Sequence, residues 1–140
     1  MGNKVFSKAR ANSSLAMCYI EECINEPSQK MYRYYHWDKR NSWYSKRTLI
    51  MNEAELVNYL MYNQPELLRE LLNKCNLYKY VMRRVRKYNK AVDNQTLELC
   101  KADQEMRLAL ALGDMDKYAA LERNNRNRAE EMAKAVLYAA

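Results

Sequence analysis

Residues 30–50, Lys-Met-Tyr-Arg-Tyr-Tyr-His-Trp-Asp-Lys-Arg-Asn-Ser-Trp-Tyr-Ser-Lys-Arg-Thr-Leu-Ile, admit two readings, and the choice between them sets the character of the N-terminal region. Aromatic residues alternate with Lys and Arg, and Asp38-Lys39-Arg40-Asn41-Ser42 reads as a turn between two aromatic runs. That pattern suits a short β-hairpin. A helical reading is almost as good, and the residue types leave the two open. Upstream, Ser13 to Asn25 reads as a helix, with Ser13 as its cap. Leu15, Cys18, Ile20 and Cys23 supply an apolar side, and Pro27 discourages continuation.

Downstream the helical signals are firmer. Asn52 followed by Glu55 resembles a capping box and predicts a helix to about Tyr62. Pro65 opens a second helix, with Leu67, Leu68, Leu71 and Leu72 as a wide apolar face. Val81, Val85, Tyr88, Val92, Gln95, Leu99, Ala102, Met106 and Ala109 then recur at alternating steps of four and three. Such heptad spacing predicts one long helix with a continuous seam that only Gln95 interrupts, which makes Gln95 a candidate register device. Gly113 can end that helix in a left-handed conformation, and Asp114 can cap a last helix to about Tyr138. The expected fold is all-α: one helical domain over residues 1–140, with a basic-aromatic region (1–50) and a helical bundle (51–140). Its two longest helices form an antiparallel hairpin.

Composition agrees with this and excludes much else. Among 140 residues there are two Gly and two Pro, far below the usual share of about 7 % and 5 %. Neither a phosphate-binding glycine loop nor a dinucleotide fingerprint can be written with Gly2 and Gly113 alone. Cys18, Cys23, Cys75 and Cys100 lack paired zinc-knuckle spacing, and His36 is the single histidine. A four-ligand site would therefore draw on scattered partners, so neither metal nor cofactor is expected, and Cys18, Cys23 and Cys100, which sit among apolar residues, read as reduced core cysteines. Glu21-Glu22 and Glu130-Glu131 are adjacent pairs, about 100° apart on a helix, and do not converge as an acid/base pair would. Asp114 and Asp116 read as first-turn residues favoured by the helix dipole. No nucleophile is placed beside His36, and a non-enzymatic protein is expected. No signal-peptide pattern and no apolar run of about 18 residues is present, and Phe6 stands where myristoylation requires Ser or Thr. The expectation is a cytoplasmic protein without a membrane partner.

The net charge of +7 is concentrated. Residues 1–50 carry net +5 and residues 76–90 carry +6, whereas 51–75 and 91–140 each carry −2. Lys79, Arg83, Arg86 and Lys90 follow the helical repeat, offset by two residues, or about 200°, from the seam, and Arg84 and Lys87 flank them. Like charges at this spacing repel, so the row gains nothing for folding, and an anionic partner would compensate. A merely solvated basic face is the plainer alternative. In the aromatic segment, Arg33, Tyr34, Tyr35, Trp37, Lys39, Arg40, Trp43, Lys46 and Arg47 are candidate binding residues, since rings stack on unpaired bases while cations follow phosphates. Tyr and Trp serve equally well as protein-interface anchors or half-buried core.

In the last helix, Asn124-Asn125-Arg126-Asn127-Arg128-Ala129-Glu130-Glu131 resembles the tail of the transposon-encoded TnpV family of small proteins. The resemblance extends back through Asn76-Leu77-Tyr78 and Gln64-Pro65 with its leucine pairs, over about residues 57–137, and leaves residues 1–50 uncovered. It implies a mobile-element accessory protein and carries over no catalytic residue. Arg126 and Arg128 can bind phosphate or pair with Glu122, Glu130 and Glu131 along the helix. Together these features predict an accessory protein that binds nucleic-acid backbone, DNA or RNA, through the Lys/Arg row. The alternative is an inhibitor or adaptor that uses the same surface against a nucleic-acid-processing protein complex, such as an RNA-guided nuclease. A homo-oligomer built on the long seam is a third reading.

Overall fold

A computed structural model of the chain describes residues 4–6, 17–26, 29–38 and 40–139. Helices cover more than half of the chain, but the fold is mixed α and β, which corrects the all-α expectation. Strands β1 (Lys4–Phe6), β2 (Cys18–Glu26), β3 (Gln29–Asp38) and β4 (Trp43–Leu49) form one antiparallel sheet in sequential order, its body made by the three longer strands. The expected first helix is replaced by β2, and its proposed cap, Ser13, lies outside the described residues. Of the two readings of residues 30–50, the hairpin is the one adopted. Helices α1 (Asn52–Asn63), α2 (Pro65–Asn73), α3 (Leu77–Ala102), α4 (Gln104–Ala111) and α5 (Met115–Tyr138) follow.

The chain divides into two compact units between residues 83 and 84, within α3. In the first, strand alternation puts Cys18, Ile20 and Glu22 on one face of β2. Their partners across the ladder, His36, Tyr34 and Tyr32, share that face, as do Leu49 and Arg47 on β4. Ile20, Tyr32, Tyr34 and Leu49 are buried there, and Leu56, Val57 and Leu60 of α1, Leu68 and Leu72 of α2 and Leu77 and Val81 of α3 are buried as well. Tyr32 closes the layer by donating to Asn58 Oδ1 on α1 (3.2 Å). Burial, with Glu22 close by, pushes its phenol well above the ordinary range, so it remains a donor. Helix α1 starts without a side-chain cap; instead the Ile50 amide donates to Glu53 Oε1 (3.2 Å).

Cys18 and Cys75 form a disulfide that closes a separation of 57 residues, so Cys18 is not the reduced core cysteine expected. On the chain-entropy account a loop of that length stabilises the fold by about 4 kcal/mol. Cys23 and Cys100 are free.

The second unit is helical. The seam is buried at Val92 and Met106, and at Tyr88, while Leu99 and Val85 are half-buried and Gln95 is exposed. Gln95 therefore sits off the face packed within the chain. The single long helix is also corrected, because α3 ends at Ala102 and α4 begins anew. Asp103 makes the break: its backbone is extended (φ −85°, ψ 102°) and its carboxylate accepts from the Met106 amide (3.2 Å). Its other oxygen accepts from Asn125 Nδ2 of α5 (3.0 Å), and this bond is the main reason the carboxyl is held below the usual range. Gly113 (φ 73°) turns the chain, and the Asp114 carboxylate caps α5 by accepting from the Lys117 amide (3.2 Å). The tight hairpin expected at this glycine thus joins α4, not α3, to α5.

Candidate nucleic-acid interface

The second face of the sheet carries the odd-numbered positions of β2 and β3 and their partners on β4. Tyr19 and Tyr35 are opposite each other in register, and their rings stack at 4.6 Å with 12° between planes. Tyr44 meets Tyr19 edge-on (5.1 Å), and Trp37, its ladder partner, meets Tyr44 at 5.0 Å and 65°. All four rings are half-buried. Two cations share the face. Arg33 lies 3.7 Å from Glu21 Oε1, and exposed Lys46 is the ladder partner of Tyr35. Tyr35 donates to Glu21 Oε1 (3.3 Å), and burial pushes its phenol up. The result is a cluster of π-faces and edges bordered by positive charge, a surface of the kind on which unpaired bases stack while their phosphates meet cations.

Alternation separates the remaining aromatic candidates from this cluster. Tyr34 points into the core, stacks with Tyr78 (6.1 Å) and donates to Cys18 Sγ (3.3 Å). Arg47 is on the same face, its guanidinium 4.6 Å above the Tyr78 ring and donating to the Tyr78 hydroxyl (3.3 Å). Trp43 is exposed opposite Asp38 at the hairpin end. Arg40 is exposed in the turn, where its amide donates to Asp38 Oδ1 (2.9 Å). The Asn41 side-chain amide donates to the other Asp38 oxygen (2.8 Å) and, with these backbone bonds, holds that carboxyl low. Lys39 lies outside the described residues.

Along α3, Lys79, Arg83, Arg86, Lys87 and Lys90 are exposed. Among the described residues none of these five forms an ion pair, although Arg83 lies 5.8 Å from the Tyr80 ring. Arg84 does not join them. It stands three residues after Val81 and four before Tyr88, on the buried side of the helix, and is only 8 % exposed. The tail's arginines divide too. Arg126 reaches Asp93 on α3 (3.4 Å) rather than the glutamates of its own helix, while Arg128 is exposed. Asn125, at the centre of the Asn-rich run, is buried and donates to Asp103 and to Met106 Sδ (3.2 Å). That part of the tail fastens α5 to the start of α4 and is occupied with structure.

One grouping had no signal in sequence spacing. Cys18, His36 and Cys75 bring their ligand atoms within 4.8 Å of one another. Cys23, by contrast, is on the other sheet face, where burial pushes its thiol up. No helix is long and apolar enough to cross a membrane among the described residues. No protein family, curated protein or solved structure matches the chain.

Proposed function

We propose that this chain is a non-enzymatic nucleic-acid-binding protein. It engages the phosphate backbone through the exposed cations of α3 and stacks unpaired bases on the Tyr19–Tyr35–Trp37–Tyr44 face. The observation that carries this reading is the row Lys79, Arg83, Arg86, Lys87 and Lys90, five exposed cations without an acidic partner among the described residues. A row of like charges costs folding energy, and a polyanion that displaces its counterions recovers it. The aromatic face favours single strands, because a duplex keeps its base faces occupied. The resemblance of residues 124–131 to a transposon-encoded tail adds that the chain serves a mobile element as an accessory.

The test is binding of fluorescent oligonucleotides of unrelated sequence, single-stranded and duplex, over a range of salt. Affinity should fall with salt, with a slope of about −0.7 per neutralised phosphate on single strands and about −0.9 on duplex. The combined Arg83→Glu, Arg86→Glu and Lys90→Glu variant should bind every sequence more weakly and with a flatter slope. No binding by the parent protein at low salt overturns the proposal. If that variant nevertheless loses cellular activity, the row meets an acidic protein surface instead, and the adaptor reading replaces it.

A further inference from the structure

Two helix ends in this molecule have the same construction and differ in one residue. After α4, the Asp114 amide donates to the Ala109 carbonyl (2.9 Å) and the Gly113 amide to the Leu110 carbonyl (3.1 Å), with Gly113 left-handed at φ 73°. After α2, the Asn76 amide donates to the Leu71 carbonyl (2.8 Å) and the Cys75 amide to the Leu72 carbonyl (3.2 Å), with Cys75 left-handed at φ 55°. This paired pattern ordinarily takes glycine at the left-handed position, because a Cβ there is strained. At the second turn a thiol-bearing residue occupies the glycine position, and its sulfur arrives beside Cys18 of β2 and His36 of β3. Those two are direct ladder partners, so they share a sheet face. Cys18 is buried, Cys75 half-buried and His36 exposed, which leaves one side of the triad open to solvent. Tyr34 adds an outer contact by donating to Cys18 Sγ (3.3 Å), the arrangement that orients and stabilises a ligating thiolate.

We propose that Cys18, His36 and Cys75 form a zinc-class metal site that exists when the Cys18–Cys75 disulfide is open. Two thiolates and an imidazole are a donor set that selects a soft, tetrahedral divalent ion, with the fourth position left to water or a partner's ligand. Disulfide and ion are then mutually exclusive. A phosphine reductant opens the bond with consumption of one water, giving two thiols and a phosphine oxide, and the entering ion displaces the two thiol protons. In the reverse direction one hydrogen peroxide takes two electrons from the zinc-bound thiolates and, with two protons, yields the disulfide, two waters and the free ion.

The experiment is titration of the phosphine-reduced, full-length protein with Co²⁺ under anaerobic conditions, followed by Zn²⁺ competition. One equivalent of Co²⁺ should produce thiolate-to-cobalt charge-transfer absorption and tetrahedral d–d bands, both erased by one equivalent of Zn²⁺. Hydrogen peroxide should then release one Zn²⁺ for every two thiols lost. Cys75→Gly restores the residue that the turn prefers, so it keeps the fold while losing the charge-transfer band. His36→Ala, at an exposed position, should lose the tight ion and shift the d–d bands, whereas Cys23→Ser and Cys100→Ser should behave as the parent. Cobalt bound without a thiolate band, unchanged binding in Cys75→Gly or His36→Ala, or equal binding by the disulfide form would each overturn the site.

Discussion

The hairpin of β3 and β4 and the helix α3 are both built from aromatic or apolar residues interleaved with Lys and Arg, yet they sort those residues by different rules. In the hairpin each successive residue changes face, so neighbours as alike as Tyr34 and Tyr35 take opposite roles, one in the core and one on the second sheet face. On α3 residues two apart point in nearly opposite directions and those three or four apart agree, which separates Lys79, Arg83, Arg86 and Lys90 from the buried Val81, Tyr88 and Val92. The same chemistry therefore becomes a two-sided sheet in one place and a two-sided cylinder in the other. A residue's role follows from its phase, and its type alone does not settle it.

The sharpest test of that contrast lies within the hairpin. Tyr32→Ala should cost about 3–5 kcal/mol, as loss of a large buried side chain does, read as a lower midpoint in denaturant. Tyr35→Ala should affect the midpoint far less and instead weaken single-strand binding by about 1–3 kcal/mol, the worth of one stacked base. Equal losses of stability at the two positions would show that the faces are not distinct.

On α3 the equivalent comparison is Arg84→Ala against Arg86→Ala. The aliphatic stem of buried Arg84 packs as well as carrying charge, and its truncation should cost about 1–3 kcal/mol. Exposed Arg86 should stay within about 0.5 kcal/mol of the parent in stability while lowering nucleic-acid affinity. Identical melting temperatures for the two variants would remove the phase argument.

A smaller effect concerns Asp103, whose carboxyl is held low by the Asn125 amide and the capped amides. A carboxyl with a lowered folded value contributes its stabilisation above the unfolded value of about 3.9, and loses it as pH falls through the folded one. Asp103→Ala should lower the melting temperature at neutral pH and make the remaining acid dependence shallower, which thermal melts from neutral to strongly acidic pH would register. The smallest effect belongs to Gln95→Leu. Being exposed, it should change stability by less than about 0.5 kcal/mol and leave the oligomeric state alone; a marked rise in melting temperature would restore Gln95 to the seam.

These contrasts mark where local pattern was sufficient. Pro65, Gly113 and Asp114 punctuate the chain where helices start and stop, because caps and left-handed turns are satisfied within a few residues. The outward row on α3 was legible for the same reason, since a helix's own hydrogen bonds determine its phase. At Asp103 the local signal was outweighed: an aspartate in a heptad run reads as helix until the Asn125 amide from α5 supports it as a cap. The region around Cys18, Ile20 and Cys23 misled more thoroughly, because a spacing of two, three and five residues fits an apolar helical side and a strand alike.

What the amino-acid order determined unaided, then, was the helical character from α1 to α5, the concentration of positive charge and the outward direction of Lys79, Arg83, Arg86 and Lys90 on α3. All are local properties of one segment. Only the tertiary structure decided that β2 is a strand, that Tyr34 and Arg47 belong to the core face while Tyr35 and Trp37 belong to the other, and that Cys75 meets Cys18 and His36. A strand has no internal hydrogen bonds and takes its conformation and register from partners far along the chain. Its faces, and any site built across them, come into existence only when those partners have assembled.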